Sequence, residues 1–258
     1  MNKLNNKINQ IPSFSDEMLS RIHQLDEPIP LVLQNEYFHN SAQLKAAKFA
    51  MDDEEIMYAE ETLFDPDVPE DIKKLYLSRI ASGVRIEALR LIEKFLASNI
   101  LSQSLRQWAL MAEMEAKIGV ISEIMDEKQI ALTTGLGGHN GMMRMMGLVF
   151  HKNILDFEVY QENLLRKEFE LAISQNKGEI EMYECKGHYC LFKFLMPFSA
   201  PIANVFEDYI NKCNQIGDFL SPKYYITNTE IISEERAKRL IEKYNQTSTT
   251  ESDNKQGD

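Results

Sequence analysis

Three side chains that could coordinate a soft metal ion lie close together in the sequence: Cys185, His188 and Cys190. They belong to a segment, residues 178–196, in which Lys186 and Gly187 separate two runs of aromatic and aliphatic residues. This pattern is typical of a β-hairpin with a two-residue turn, and in that register Cys185 lies opposite His188 and all three side chains share one face. Thiolate and imidazole are the ligands that zinc prefers. The sequence offers no fourth ligand, and free cysteines are often simply buried, so a structural role is the alternative to a metal site.

A glycine-rich loop forms the second candidate site. Residues 134–141 contain four of the eleven glycines of the chain, which indicates unusual backbone angles or the close approach of another group. Its N–H groups could hold a phosphate, but the loop matches no nucleotide-binding pattern and precedes a strand, where those patterns require a helix. The alternative is a flexible hairpin loop. The candidate ligand-binding residues are Gly135, Gly137, Gly138, His139 and Arg144.

The third candidate is a dense acidic run. Residues 52–71 include ten acidic side chains and no lysine or arginine. Such a run is usually a solvated surface, but its density favours docking of a partner with a basic surface, most often a protein. The candidate partner-binding residues are Asp52, Asp53, Glu54, Glu55, Glu60 and Glu61. The sequence contains no recognisable catalytic residue and no motif that identifies a cofactor.

The elements around the hairpin follow a β-α-β-β-α-β order. An apolar run of strand length at residues 142–151 precedes a helical pattern at 157–175. After the hairpin, a helical pattern at 201–216 precedes a strand-like run at 223–229. This order predicts a ferredoxin-like domain. We expect residues 128–133 to add an extra N-terminal strand that forms a hairpin with the strand at 142–151.

The second strand of the hairpin indicates another possible function. KGHYCLFKF, residues 186–194, resembles the octamer on the third strand of RNA-recognition motifs, a family with the ferredoxin-like order. The resemblance implies RNA binding on the sheet, with His188 and Cys190 where the family has stacking aromatic residues. A formal charge of −12 opposes general affinity for phosphate backbones. Nucleic acid is therefore an alternative partner that we do not favour.

The preceding part of the chain is predicted to be helical. RIEALRLIEKFLA, residues 85–97, resembles the second helix of a HEAT-type repeat, which implies an α-solenoid or a helical bundle. The predicted class is therefore α+β. The predicted divisions are a flexible N-terminus at 1–14, an acidic helical domain at 15–119, a ferredoxin-like domain at 120–244 and a disordered tail at 245–258.

Composition adds an expectation about location. Three cysteines give no disulfide framework and fit a reducing compartment. No apolar run approaches the ~18–20 residues of a membrane span. We therefore expect a cytoplasmic protein without a membrane-spanning segment.

Two classes of function remain open. We expect a non-enzymatic interaction or regulatory protein whose acidic helical region docks a basic partner and whose α+β domain supports dimerisation or ligand sensing. The alternative is a small-molecule-binding protein or enzyme that uses the loop at 135–141. A concave pocket with convergent polar side chains at that loop would favour the alternative.

Overall fold

The computed structural model describes residues 16–47, 51–98 and 101–253. It contains both helices and sheet, which confirms the predicted α+β class. The chain divides into two compact units between His139 and Asn140. The predicted flexible N-terminus at 1–14 lies outside the described residues.

The first unit consists mainly of helices. Its elements are α1 (Asp16–Leu19), β1 (Ile22–Gln24), α2 (Leu31–Ala47), α3 (Asp53–Phe64), α4 (Glu70–Ala81), α5 (Ile86–Leu96), α6 (Gln103–Met125), β2 (Ile130–Leu132) and β3 (Gly138–His139). Side chains cap two of these helices: Asp52 accepts a hydrogen bond from the N–H of Glu55, and Ser102 accepts one from the N–H of Leu105. Each cap satisfies an N–H group that has no partner within its own helix.

The core of this unit is organised around Trp108 on α6. The Trp108 side chain is buried, and its indole N–H donates hydrogen bonds to the carbonyl of Lys74 and the hydroxyl of Ser78. Its ring lies 5.2 Å from the ring of Tyr37, edge to face. These contacts connect α2, α4 and α6, because burying an indole requires a partner for its single donor.

Two short strands of this unit differ from the sequence-based prediction. Ile22–Gln24 forms β1, where the sequence predicts helix, and it pairs in parallel with Ile130–Leu132. The predicted hairpin between residues 128–133 and the strand at 142–151 is therefore wrong. The partner of β2 lies more than a hundred residues earlier in the chain, so no local turn signal could indicate it.

The second unit contains a sheet and three helices. Its elements are β4 (Met142–Phe150), α7 (Val159–Gln175), β5 (Glu179–Lys186), β6 (Tyr189–Pro197), α8 (Ile202–Gln215), β7 (Tyr225–Thr227) and α9 (Glu234–Asp253). The strands lie side by side in the order β7, β4, β6, β5, and neighbouring strands are antiparallel.

Helices pack on both faces of this sheet. On one face the ring of Phe192 from β6 stacks on Phe169 of α7 with centroids 4.1 Å apart, and Phe206 of α8 joins them. On the other face the ring of Tyr244 from α9 stacks on Phe150 of β4. The apolar character of both faces of β6, which the sequence shows, follows from this double covering.

The hairpin forms, but its turn lies one residue later than predicted, so the partner of each residue near the turn moves by two positions. Lys186 pairs with Tyr189, so Gly187 and His188 are the turn residues. Gly187 has a φ of 59° and occupies the first turn position, where one of the two favoured two-residue turns requires glycine. The shift places Cys185 opposite Cys190 instead of His188.

The C-terminal helix is longer than expected. Residues 245–258 are predicted to be disordered, whereas α9 continues to Asp253. Residues 254–258 lie outside the described part of the chain.

Candidate functional site

The acidic run contains a helix, and much of its charge is used within the first unit. Arg85 lies 2.8 Å from Asp53, Arg79 lies 2.8 Å from Glu55, and Lys94 lies 2.5 Å from Glu60. These cations come from α4, α5 and the residue before α5. Together with the cap formed by Asp52, they assign most of the predicted partner-binding acids to the fold of the unit.

Two of the six predicted partner-binding acids lie outside these ion pairs and could contact a partner. Glu54 and Glu61 are exposed and form no ion pair among the residues that the structure describes. They lie seven residues apart on α3, and Met57 and Tyr58 lie between them at helical spacing. Met57 is 63% exposed and Tyr58 is 57% exposed. One side of α3 therefore presents two large apolar side chains flanked by two carboxylates.

Helix α4 extends this surface. Arg79 contacts Glu55 and Tyr76 contacts Tyr58, so the two helices run antiparallel along this edge. The rings of Tyr58 and Tyr76 are 5.6 Å apart, and partial burial raises the pKa of Tyr76, so its hydroxyl stays uncharged. Ile72 and Leu75, on the same side of α4 as Tyr76, are exposed. We call this surface the α3–α4 face: Glu54, Met57, Tyr58, Glu61, Ile72, Leu75 and Tyr76.

The apolar half of this face is missing from the sequence-based prediction. The sequence-based prediction gives residues 52–71 as an acidic run within a helical region and assigns no role to their apolar side chains. The signal that could have revealed α3 is the helical spacing of its buried apolar side chains, Ala59 and Leu63, which contrasts with Met57 and Tyr58 on the other side. The large exposed residues would then have been placed on one surface.

The glycine-rich loop packs against its own unit. Gly135, Gly137 and Gly138 are buried, and the N–H of Gly138 donates to the carbonyl of Leu25. A Cβ atom on Gly137 would lie 2.6 Å from that carbonyl oxygen. The close approach that the glycine cluster indicates is thus an approach to the chain's own backbone.

The two polar candidates of this loop fall in different units. His139 ends the first unit and is half-buried, while Arg144 lies on β4 of the second. The guanidinium of Arg144 donates from Nε to both carboxylate oxygens of Glu181, at 3.0 and 2.8 Å, and from Nη2 at 2.8 Å. These hydrogen bonds hold the pKa of Glu181 below its ordinary value, and Lys193 at 3.2 Å adds to the effect. The Arg144 side chain is therefore occupied by an internal ion pair.

A bulge explains why this ion pair could not be read from the sequence. The regular alternation of β5 is broken between Ile180 and Met182, which leaves Glu181 as the extra residue. A bulge turns such a side chain away from the face that simple alternation assigns to it.

The candidate metal ligands at the hairpin have a different arrangement from the predicted one. Cys185 and Cys190 are joined by a disulfide across the hairpin, and His188 lies in the turn. The expectation that the cysteines form no disulfide is therefore wrong. Among the described residues, no group of three or more histidine, cysteine, aspartate or glutamate side chains is arranged to hold a metal ion. Cys190, which the resemblance to RNA-recognition motifs places at a stacking position, is buried.

Comparison of the chain with protein-family models and with curated proteins finds no match. Within residues 16–47, 51–98 and 101–253, none of the helices is both long enough and apolar enough to span a membrane.

Proposed function

We propose that this chain is a non-enzymatic interaction or regulatory protein whose α3–α4 face docks a basic, amphipathic segment of a partner protein. The observation that carries the proposal is the exposed pair Met57 and Tyr58 between the carboxylates of Glu54 and Glu61, which form no ion pair with any described residue. Tyrosine and methionine are enriched in protein interfaces, and a group of exposed apolar side chains with a polar rim is typical of a docking site.

The charges of the face define the chemistry of the partner. Glu54 and Glu61 lie one turn to either side of the apolar pair, so lysine or arginine side chains that flank an apolar anchor would meet both. Charges at the rim of an interface chiefly increase the association rate and select the partner, while buried aromatic side chains contribute most of the affinity. We therefore assign anchoring to Tyr58 and Met57, and steering to the two glutamates.

For the second unit, we propose the ferredoxin-like arrangement and a role in dimerisation or ligand sensing. The antiparallel order β7, β4, β6, β5 supports the first point, because the ferredoxin-like order of elements places the first and third strands at the centre of the sheet. For the first unit, consecutive antiparallel helices joined by short turns support a HEAT-like or bundle arrangement. The cytoplasmic location stays a prediction, and the disulfide removes the cysteine argument for it.

The test is affinity capture of the full chain from its native cell with quantitative mass spectrometry. The variant Glu54→Gln with Glu61→Gln should lose partner signal several-fold at low ionic strength. Its thermal unfolding midpoint should stay close to that of the wild type, because exposed acids without partners change stability by less than about 0.5 kcal/mol.

A charge-matched control is available in the second unit. Glu207 and Glu242 are exposed, and the variant Glu207→Gln with Glu242→Gln changes the net charge equally. It should retain the partner. Equal loss in both variants would attribute binding to overall charge and refute the docking role of the α3–α4 face.

A further inference from the structure

A cavity inside the first unit has the size and lining of a small-molecule site. Its volume is about 310 Å³, and it lies between α2, α6 and the turn that connects α4 to α5. Most of its wall is apolar, and the large apolar side chains of Phe38, Met114 and Ile118 line it. Ligand sites in proteins are typically concave, mostly apolar and equipped with a few placed polar groups.

Three polar side chains that line this cavity, Ser41, Lys45 and Glu115, form one cluster with the buried Tyr37 beside it. Tyr37, Ser41 and Lys45 recur every four residues along α2, so their polar ends are aligned. All three donate to the carboxylate of Glu115 on α6, each at 2.5 Å. Burial raises the pKa of Tyr37 well above its ordinary value and the charge of Glu115 raises it further, so this hydroxyl remains a donor.

The two charged members of the cluster differ in what they can still bind. The Glu115 side chain is 11% exposed and already accepts from two hydroxyls and one ammonium group. The Lys45 side chain is 55% exposed, and its ammonium carries three donors, of which Glu115 takes one. Lys45 is also the only cation among the described residues that line the cavity. The accessible group that can still donate a hydrogen bond to a ligand is therefore the positively charged ammonium of Lys45.

Backbone strain coincides with the same cavity. Val84 lines it and has a φ of 49°, a conformation that β-branched residues rarely adopt. Gly119 of α6 faces Val84, and a Cβ atom there would lie 3.2 Å from a Val84 methyl group. Strained residues of this kind cluster at ligand sites, where the surrounding structure maintains them.

We propose that this cavity binds a small amphipathic carboxylate, with its apolar chain against Phe38, Met114 and Ile118 and its carboxylate on Lys45. The ligand carboxylate would share the Lys45 ammonium with Glu115, because that ammonium has donors beyond the one that Glu115 takes and Glu115 also accepts from Tyr37 and Ser41. An amine ligand would have to compete with Lys45 for a carboxylate that is nearly enclosed. The site is separate from the α3–α4 face and does not depend on the proposed docking function.

The test uses three probes that share one chain and differ in the head group: octanoate, octanol and octylamine. Titration calorimetry with the full protein should show octanoate binding about tenfold or more tightly than octanol, and octylamine binding less tightly than octanol. A preference for octylamine, equal affinity for all three probes or absence of binding would overturn the proposal.

Single substitutions test which side chains of the cavity contact the probes. Lys45→Met should lower the affinity for octanoate about tenfold and leave that for octanol unchanged, whereas Lys128→Met, an exposed control, should change neither. Ala42 is exposed on α2 and lines the cavity, so Ala42→Leu should abolish binding of both probes while the chain stays folded. If Lys45→Met does not fold, the ranking of the three probes and the effect of Ala42→Leu still test the proposed carboxylate site. An octanoate affinity that a folded Lys45→Met variant retains would refute the carboxylate site.

Discussion

The acidic side chains of α3 have two physical roles. Asp52 caps the helix, and Asp53, Glu55 and Glu60 form ion pairs within the unit. A cap contributes about 1 kcal/mol and an exposed ion pair about 0.2–1 kcal/mol, so neutralising all of them would disturb the fold as well as any docking surface. Glu54 and Glu61 are the residues at which charge can be removed with the least effect on stability.

The first prediction concerns the glycine-rich loop. Gly137 and Gly141 have similar φ values, 68° and 71°, but a Cβ on Gly137 would meet the carbonyl of Leu25. Apart from its chain neighbours, no described residue has an atom within 4 Å of a Cβ on Gly141. Both alanine substitutions should cost about 1–2 kcal/mol for the left-handed backbone. Gly137→Ala should cost about 1–3 kcal/mol more because of the clash with Leu25. Urea unfolding of the two variants measures the difference, and equal costs would contradict the packing role of Gly137.

The second prediction concerns how Glu181 makes the free energy of unfolding depend on pH. Hydrogen bonds from Arg144 hold its pKa below the ordinary value of 4.5. A carboxylate with a lowered pKa stabilises the folded state above its ordinary pKa, and this contribution is lost as the pH falls through the folded pKa. Glu181→Gln should therefore cost about 1–3 kcal/mol near pH 7, and this cost should shrink as the pH falls from about 5 towards 3.

The measurement is urea unfolding of both proteins across that pH range. Glu179→Gln, at an exposed position on the same strand, is the control and should follow the wild type. A cost of Glu181→Gln that does not change with pH would show that Arg144 does not stabilise the charged form of Glu181.

At the scale of elements, the hairpin shows how much of a structure local sequence patterns can predict. Its two strands and the presence of a two-residue turn follow from the sequence, but Lys186-Gly187 and Gly187-His188 are both acceptable turns. The choice between them moves the cross-strand partner of each residue near the turn by two positions and decides whether Cys185 faces His188 or Cys190. A one-residue ambiguity therefore separates a candidate metal site from a disulfide.

The third prediction tests this register by counting thiols. Protein purified without reductant and then unfolded should be alkylated once, at Cys213, and three times after reduction. In the folded state Cys213 should react slowly, because burial raises the pKa of its thiol to about 12. Reduction should destabilise the protein by about 2 kcal/mol or less, as expected for a short closed loop.

The control for this experiment is Cys185→Ser. Without reductant it should show two reactive thiols, at Cys190 and Cys213, after unfolding. Three reactive thiols in the unreduced wild type would contradict the disulfide.

Other elements could be predicted more closely. Helical apolar spacing places a helix at residues 85–97 and the structure has α5 at Ile86–Leu96, because a strongly amphipathic segment needs no distant partner to define its period. Helix α3 and the bulge at Glu181 could not be found in the same way. The apolar spacing of α3 is weaker because many of its residues are charged, and the extra residue Glu181 lies in an ion pair with Arg144 of a different strand.

At the scale of the whole molecule, the division into units depends on long-range pairing. The apolar period changes near Val120, but α6 continues to Met125, and the following residues return to the first unit through β2 and the hydrogen bond from Gly138 to Leu25. Local periodicity cannot report such contacts. The same limit applies to the α3–α4 face, which combines residues from two helices.

The most direct test of the docking proposal is site-specific photo-crosslinking in the native cell. A photoreactive phenylalanine analogue replaces Tyr58 in one protein and Tyr160, which is 49% exposed in the second unit, in a matched control. The docking role predicts an adduct from position 58 whose crosslinked partner peptide is net basic and contains apolar residues. The adduct should decrease several-fold when Glu54→Gln and Glu61→Gln are added, and it should be absent from position 160. An adduct that is the same from both positions, or one from position 58 that is undiminished after both glutamates are neutralised, would contradict the proposal.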